Sequence, residues 1–193
     1  RYLRQLLIRD IESATQRRLC VFFSDPYSTQ TEINGRDAVL LAEMLHDCGG
    51  QPLDLLLQTP GGSTTATEAI LSLLRNITNN LRVVVPNYAK SNGTLICLSA
   101  SEIVMGSTSE LGPIEPSINN IPCSILIQQQ VAQQNYILHQ HGIWALEQSR
   151  KIATRLLSEG MMKGEGEKRI KETVEILASR VVYQDHGSVI DHE

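Results

Sequence analysis

Apolar runs of strand length alternate with segments of helical periodicity in this sequence, and that alternation constrains the fold more than any other feature. Four runs have the length of buried strands, at residues 19–23, 53–58, 83–85 and 103–105. The segments between them carry apolar residues at helical spacing, at residues 36–46, 64–76 and 93–100. Because this order places successive strands side by side, it predicts an α/β fold with a mainly parallel sheet covered by helices.

The rest of the chain is predicted to be mainly helical. Residues 3–11 repeat leucine and isoleucine at helical spacing and predict an opening helix. Residues 112–122 hold three of the seven prolines and predict an ordered loop or a sheet edge. Later helices are predicted at 125–138, 143–157 and 167–179, with a flexible loop at 163–168. We expect one domain over residues 1–193, whose part from 125 to 193 is mainly helical.

Charge and composition disfavour several function classes. Lys and Arg number 17 against 21 Asp and Glu, a net charge of −4, and aromatic residues make up 4%. Nucleic acid is therefore not an expected partner. The chain has no excess of basic residues to contact phosphates and few aromatic side chains on which bases could stack. The four cysteines lack the spacing of zinc or redox motifs, so we expect no metal site among them and a reducing cytoplasmic compartment. No cofactor is expected. The apolar runs fall far short of the ~20 residues of a membrane span, so no anchor is expected in this chain and peripheral membrane association stays open.

The sequence Thr59-Pro60-Gly61-Gly62-Ser63 lies where a predicted buried strand turns into a helix. Two adjacent glycines let the backbone adopt conformations closed to other residues and let a ligand approach the main chain. N–H groups exposed at such a turn can stabilise a developing oxyanion. A purely structural turn is the alternative interpretation, and a nucleotide P-loop is disfavoured because the lysine that should precede Ser63 is missing.

A second turn, Tyr88-Ala89-Lys90-Ser91-Asn92-Gly93-Thr94, again joins a predicted strand to an apolar helix. Serine at such a turn can act as a nucleophile, with the N–H of the next residue as a second oxyanion donor. The alternative is that Ser91 only caps the helix, since serine is a preferred N-cap residue. The ends of neighbouring parallel strands meet at one sheet edge, so the two turns together predict an acyl-transfer site.

Four segments in this order resemble the serine dehydrogenase proteinase family, which belongs to the Clp protease/crotonase superfamily and is related to signal peptide peptidases. The segments are residues 55–62, 83–94, 102–106 and 110–116. The similarity extends to residues 151–157 and 186–190, which resemble the family's late helix and its His-Gly element. The resemblance implies a ββα-spiral fold and a homo-oligomer, because superfamily members commonly form rings or trimers.

The resemblance also implies roles for individual residues. Ser91 corresponds to the nucleophile, and the N–H groups around Gly61 and Gly62, with that of Asn92, correspond to the oxyanion hole. Two positions depart from the family's pattern. Asn92 is larger than the residue that usually follows the nucleophile, and Gln58 stands where many relatives have histidine.

A serine nucleophile needs a base, and related peptidases use either a Ser-Lys dyad or a Ser-His-Asp triad. Lys151 is the first choice, because burial in its apolar helix would keep the amine neutral. His186, beside Asp185, is the second choice, and Lys90 is the third, although its side chain is expected to point away from Ser91. The other histidines are expected outside the site: His139 and His141 face solvent, and His46 caps a helix end.

Three functions are compatible with these features. The leading hypothesis is a serine peptidase that cleaves peptide or protein substrates through an acyl-enzyme on Ser91. The second is an inactive member of the same fold that serves as a binding or assembly module. The third is crotonase-like acyl-thioester chemistry, which usually relies on carboxylates and needs no Ser91. Labelling by a fluorophosphonate probe separates the first hypothesis from the others.

Overall fold

A computed structural model describes residues 2–25, 27–28, 31–178 and 189–190. The helices, in chain order, are α1 (Tyr2–Thr15), α2 (Gly35–Leu45), α3 (Thr64–Ile77), α4 (Asn92–Leu98), α5 (Cys123–Leu126), α6 (Gln129–Gln134), α7 (Tyr136–Glu159) and α8 (Glu167–Ala178). The strands are β1 (Arg18–Phe23), β2 (Leu53–Gln58), β3 (Leu81–Val85), β4 (Tyr88–Ala89), β5 (Glu102–Met105), β6 (Glu110–Leu111), β7 (Ser117–Ile118) and β8 (Ile121–Pro122).

The main sheet has four parallel strands in the order β1-β2-β3-β5. Leu53, Leu55 and Leu57 of β2 are all buried in the main apolar core, to which α2, α3, α4, α7 and α8 also contribute. Parallel strands covered on both faces read as continuous apolar runs rather than as alternating ones. The predicted α/β class with a mainly parallel sheet is therefore confirmed.

One charged side chain is buried in this sheet, near the start of β2. Asp54 is 2% exposed, lies in register with Arg82 of β3 and accepts a hydrogen bond from its Nε at 3.0 Å. Arg17 also pairs with Asp54 and donates to the backbone oxygens of Leu53 and Asn80, at 3.0 and 2.8 Å. This cluster of Arg17, Asp54 and Arg82 holds the segment after α1 against the amino-terminal ends of β2 and β3.

The predicted helix at 143–157 is confirmed as part of a longer helix, whereas the prediction of one long helix at 125–138 is wrong. The structure has two short helices, α5 and α6, followed by the single long helix α7. The break falls at Asn135, whose side chain accepts a hydrogen bond from Leu138 N at 3.0 Å and caps α7. Gly142, which lies between the two predicted helices, is buried within α7, where an added Cβ would lie 2.8 Å from Leu126 Cβ. It therefore allows close packing of α5 against α7.

Short pairings continue beyond the carboxyl ends of the main sheet. Thr59 pairs in parallel with Ala89 of β4, and Ala89 pairs in parallel with Leu111 of β6. Leu111 pairs in turn, antiparallel, with Ile190. This ladder of Thr59, Ala89, Leu111 and Ile190 joins the two turns singled out in the sequence, and we call it the site ladder.

The prolines and cysteines noted in the sequence have defined places in the structure. The proline-bearing stretch 112–122 includes the β7–β8 hairpin, whose turn residues Asn119 and Asn120 have φ of 52° and 63°. All four cysteines are buried and unbridged, as expected of small apolar groups.

Within residues 2–25, 27–28, 31–178 and 189–190, no helix is long and apolar enough to cross a membrane. The same residues contain no group of three or more His, Cys, Asp or Glu that could hold a metal ion.

Candidate active site

The two glycine- and serine-bearing turns lie against each other at the carboxyl end of β2. The backbone of Gly61 comes so close to the second turn that an added Cβ would lie 2.9 Å from Ser91 Cβ and 3.2 Å from Asn92 N. Gly61 has φ of 100°, which glycine adopts readily. The site ladder holds the turns in this position, because Thr59 N donates to Tyr88 O at 3.1 Å and Lys90 N donates to Thr59 O at 3.0 Å.

Ser91 has a strained backbone and a hydroxyl that is not used as a helix cap. It occupies the N-cap position of α4 with φ of 51° and ψ of −117°, and its side chain makes no capping hydrogen bond. A non-glycine residue with positive φ costs about 1–3 kcal/mol and persists only where its surroundings hold it. The purely structural interpretation of Ser91 as a capping residue is therefore wrong. Its half-buried side chain lines a cleft of about 520 Å³.

The direction of the Gly62 N–H follows from the hydrogen bonds of its neighbours. Ile33 N donates to Gly61 O at 2.7 Å, and Ser63 N donates to Ile33 O at 2.8 Å. Because a trans peptide is planar, with its C=O and N–H pointing in opposite directions, the N–H and the C=O of Gly62 both point away from Ile33. Asn92 lies on that side, where its Nδ2 donates to Gly62 O.

The N–H groups of Gly62 and Asn92 have no hydrogen-bond acceptor among the residues that the structure describes. The Gly61 N–H is oriented differently, since it donates to Thr59 Oγ1 at 3.2 Å. Of the N–H groups that the sequence indicates for an oxyanion hole, those of Gly62 and Asn92 are thus available to a ligand. Both residues, with Gly61 and Ser91, line the same cleft.

The cleft wall consists mostly of amide, hydroxyl and small apolar groups. Beyond the two turns, it is formed by the segment before α2, by the β7–β8 hairpin and by one face of α7. Glu32 is the one titratable side chain among the described lining residues. On α7, Ser149 is 5% exposed and donates to Ile114 O at 2.7 Å, so its hydroxyl is committed to the wall.

The expectation that Lys151 is buried beside Ser91 is wrong. Its side chain is exposed, and it is not among the residues that line the cleft. The reason is the phase of α7: two residues of helix rotate a side chain by roughly 200°, so Lys151 points away from the face on which Ser149 lies. Apolar neighbours such as Ile152 and Ala153 made the segment look buried, but they occupy a different face.

His186 and Asp185 lie outside the described residues. The structure describes the chain again at residues 189–190, where N and O of Ile190 exchange hydrogen bonds with Leu111 at 2.9 and 2.8 Å. Leu111 is the neighbour of Ala89 in the site ladder, and Ala89 precedes Ser91 by two residues. The chain at Ile190 is therefore attached two strands away from the Ser91 turn.

The remaining basic candidates have other partners. Lys90 points away from Ser91 as predicted, because its Nζ lies 2.8 Å from Glu110 Oε2. His46 Nδ1 lies 2.9 Å from Glu43 O, which confirms that it binds a carbonyl at the end of α2. His141 is exposed and lies against Trp144, with ring centroids 5.7 Å apart. His139 differs from the prediction: it is half-buried, with Nε2 3.1 Å from Ile127 O.

Ile33 is the site residue that sequence reasoning missed. It is 1% exposed and pairs in parallel with Gly62, far from it in sequence. An isolated isoleucine before a helix gives no signal of this role. The adjacent Asn34, whose Oδ1 accepts from Arg36 N at 2.9 Å, marks only the start of α2.

Fold and site together define an α/β protein of Clp-like architecture, in which two strand-to-helix turns meet beside a serine. The family described as ClpP-like SDH-type serine proteinase matches residues 14–191, and the chain belongs to it. The resemblance stated from the sequence is thereby confirmed.

Relatives with similar sequences carry little functional description. Two uncharacterized proteins of Methanocaldococcus jannaschii are similar to this chain. The first is 30% identical over 141 residues, covering 70% of this chain and 47% of the relative. The second is 32% identical over 134 residues, covering 66% of this chain and 46% of the relative. ATP-dependent Clp protease proteolytic subunit 1 of Chlamydia caviae is 30% identical over 81 residues, covering 42% of this chain and 41% of the relative. The chain thus spans about half the length of the curated relatives it matches.

Proposed function

We propose that this protein is a serine peptidase that hydrolyses peptide bonds through an acyl-enzyme on Ser91. The observation that carries the proposal is the position of the Ser91 side chain, which makes no capping bond and lines one cleft with Gly62 and Asn92. Oxyanion donors act best when they are oriented before charge develops, and the Ile33 pairing orients the Gly62 N–H. Membership of a serine proteinase family supports the same chemistry.

The proposed reaction has two stages. Ser91 Oγ attacks the carbonyl carbon of the peptide bond while its proton passes to a base, and the resulting oxyanion accepts hydrogen bonds from Gly62 N and Asn92 N. The C–N bond then breaks, and the base returns the proton to the leaving amine. In the second stage, water attacks the ester, the base takes its proton and returns it to Ser91 Oγ, and the acid product leaves.

Fluorophosphonate labelling followed by peptide mapping tests the nucleophile. The parent should be labelled at Ser91, and Ser91→Ala should lose the label while it keeps its fold, because only one hydroxyl is removed. Ser99→Ala is the matched control, since Ser99 follows the other end of α4 and donates to Ile96 O at 2.6 Å. It should be labelled like the parent. Absence of labelling in the parent would favour an inactive binding or assembly module, which the lack of Lys and His in the described cleft wall also favours.

His186 is the base in this proposal, ahead of Lys151. Support comes from the site ladder: Ile190 is attached beside Leu111, and the four residues from His186 to Ile190 span at most about 14 Å. Removal of a general base typically costs 10²- to 10⁴-fold in rate, so His186→Ala should lower the labelling rate by about 10³-fold. Lys151→Met should stay within about twofold of the parent, because an exposed side chain is exchanged.

The reverse result would assign the base to Lys151, brought to Ser91 by a neighbouring copy. Lys151→Arg should then be as inactive as Lys151→Met, because arginine stays protonated and cannot accept the proton. The two patterns of variant activity exclude each other, and Lys151 lies outside the apolar core.

A homo-oligomer belongs to the same proposal. Large apolar side chains remain exposed on the late helical part: Ile127 is 39%, Ile137 68% and Trp144 59% exposed. Exposed apolar residues of this size that lie close together are typical of surfaces that associate. Light scattering at micromolar concentration should give a multiple of 21.4 kDa. A monomeric mass would contradict this part of the proposal.

A further inference from the structure

Asn92 is larger than the residue that usually follows the nucleophile in the family's pattern, and the structure gives its side chain a specific position. Asn92 is 7% exposed, and its Nδ2 donates to Gly62 O, with Thr64 Oγ1 as a second acceptor at 3.3 Å. The side chain therefore crosses from the Ser91 turn to the glycine turn. It satisfies its own donor group by doing so, which is the usual condition for burying an amide.

This contact is distinct from the other links between the two turns. The backbone bonds of Thr59 with Tyr88 and Lys90 join the turns upstream of Gly61 and Ser91. Ile33 holds the glycine turn from the opposite side, through Gly61 O and Ser63 N. Among the described residues, Asn92 makes the side-chain link on the side toward which the Gly62 N–H points.

We propose that Asn92 is a positioning residue that sets the spacing between the two oxyanion donors, the N–H of Gly62 and its own N–H. The amide group of Asn92 holds the 62–63 peptide by its oxygen, while the backbone of the same residue carries the second donor. Movement of either turn would change the distance between the donors, and the side-chain bond opposes that movement. The inference rests on the proposed peptidase function, to which it assigns a further residue.

The kinetic test compares Asn92→Ala with the parent in fluorophosphonate labelling of Ser91, with kinact and KI determined separately. Misplacement of catalytic groups by about 1 Å costs on the order of 10²-fold, so kinact should fall about 10- to 100-fold, while KI should stay within about threefold. Asn92→Asp keeps the size of the side chain but lacks the donor for Gly62 O, so it should lose at least as much. An Asn92→Asp variant as reactive as the parent would overturn the inference.

Asn87→Ala is the matched control. Asn87 Nδ2 donates to Gln58 Oε1 at 2.7 Å, so this variant also deletes an amide link, here between β2 and the segment that joins β3 to β4, and neither residue lines the cleft. The control should lose stability of the same order as Asn92→Ala, because each variant removes a side-chain amide that links two segments of the chain. If both variants lower kinact equally, Asn92 acts only through general stability, and the inference fails.

Amide exchange gives a readout that does not depend on catalysis. In Asn92→Ala, the hydrogen-bonded amides of the two turns, Ser63 N (to Ile33 O) and Gly93 N (to Lys90 O), should exchange faster than in the parent, whereas Asn87→Ala should leave them unchanged. A parent that is never labelled refutes the proposed function, and the exchange data then decide alone whether Asn92 holds the turns. A labelled parent with unchanged kinact and unchanged exchange in Asn92→Ala refutes the positioning role itself.

Discussion

Replacement of Gly62 by alanine tests whether the site depends on close backbone packing. An added Cβ would lie 2.3 Å from Ile33 N and 2.5 Å from Ile33 O, in a residue with φ of 148°. Distances this short to backbone atoms cannot be relieved by rotating a side chain. The Ile33 segment must therefore move away, and its two hydrogen bonds with Gly61 and Ser63 must lengthen or break.

The expected loss of stability follows from these contacts. Two backbone hydrogen bonds are worth about 1 kcal/mol each, and an unfavourable backbone conformation costs about 2 kcal/mol, so Gly62→Ala should be destabilised by about 4 kcal/mol. With a urea m-value of about 2 kcal/mol/M, the unfolding midpoint should fall by about 2 M. Labelling of Ser91 should fall too, because the orientation of the Gly62 N–H depends on the displaced bonds.

Urea unfolding followed by far-UV circular dichroism measures this loss, with Gly35→Ala as the control. Gly35 opens α2, and an added Cβ there meets no atom within 4 Å. Its free energy of unfolding should stay within about 0.5 kcal/mol of the parent. A Gly62→Ala variant within about 1 kcal/mol of the parent would refute the close pairing of Ile33 with Gly62.

Four further predictions concern stability and reactivity. Ser91→Gly should raise the free energy of unfolding by about 1 kcal/mol, because glycine adopts a positive φ without strain; a lower urea midpoint would argue against strain at Ser91. Asp54→Asn should lose about 3 kcal/mol of unfolding free energy, because Arg17 and Arg82 lose their buried carboxylate, and an unchanged midpoint would contradict this. Gly142→Ala should lower the free energy of unfolding by about 2 kcal/mol in the same assay, because the added methyl group separates α7 from α5; a higher free energy of unfolding would show that the two helices pack loosely. Burial raises the pKa of Cys20 to about 12, so at pH 8 its thiol should stay protonated and react with a thiol reagent only after unfolding; rapid reaction of the native protein would contradict its burial.

The strands and the two turns could be predicted because their signals are local. Residues 53–58 include four leucines because both faces of β2 are covered, and the Gly-Gly and Ser turns follow strands directly. The start of the long helix α7 could not be predicted for a reason that is not local, since Gly142 lies between the two predicted helices and yet is buried within α7. A glycine that ends a helix and one that admits a neighbouring helix look alike in sequence, and only the position of Leu126 distinguishes them.

The base could not be predicted from apolar surroundings alone. Lys151 lies between buried neighbours in sequence, but burial in a helix depends on angular phase, and phase depends on which face meets the core. Ile33 shows the same limit for a pairing. Its contact with Gly62 joins segments that are distant in the chain, and no periodicity or composition in either segment encodes it.

The strain at Ser91 explains why the site needs these distant contacts. A positive φ at serine persists only if the surroundings fix it, and several contacts hold this turn: Gly93 N donates to Lys90 O at 2.8 Å, and the fully buried Thr94 Oγ1 lies 2.7 Å from Gly112 O. The Gly112 N–H donates back to Thr94 Oγ1 at 3.2 Å, so α4 and the residue that follows β6 hold each other beside the serine. β6 is in turn a member of the site ladder, which ends at Ile190. The conformation of Ser91, the proposed nucleophile, therefore depends on the site ladder as well as on its own turn. A variant that separates Ile190 from Leu111 should change the reactivity of Ser91 although it alters neither turn.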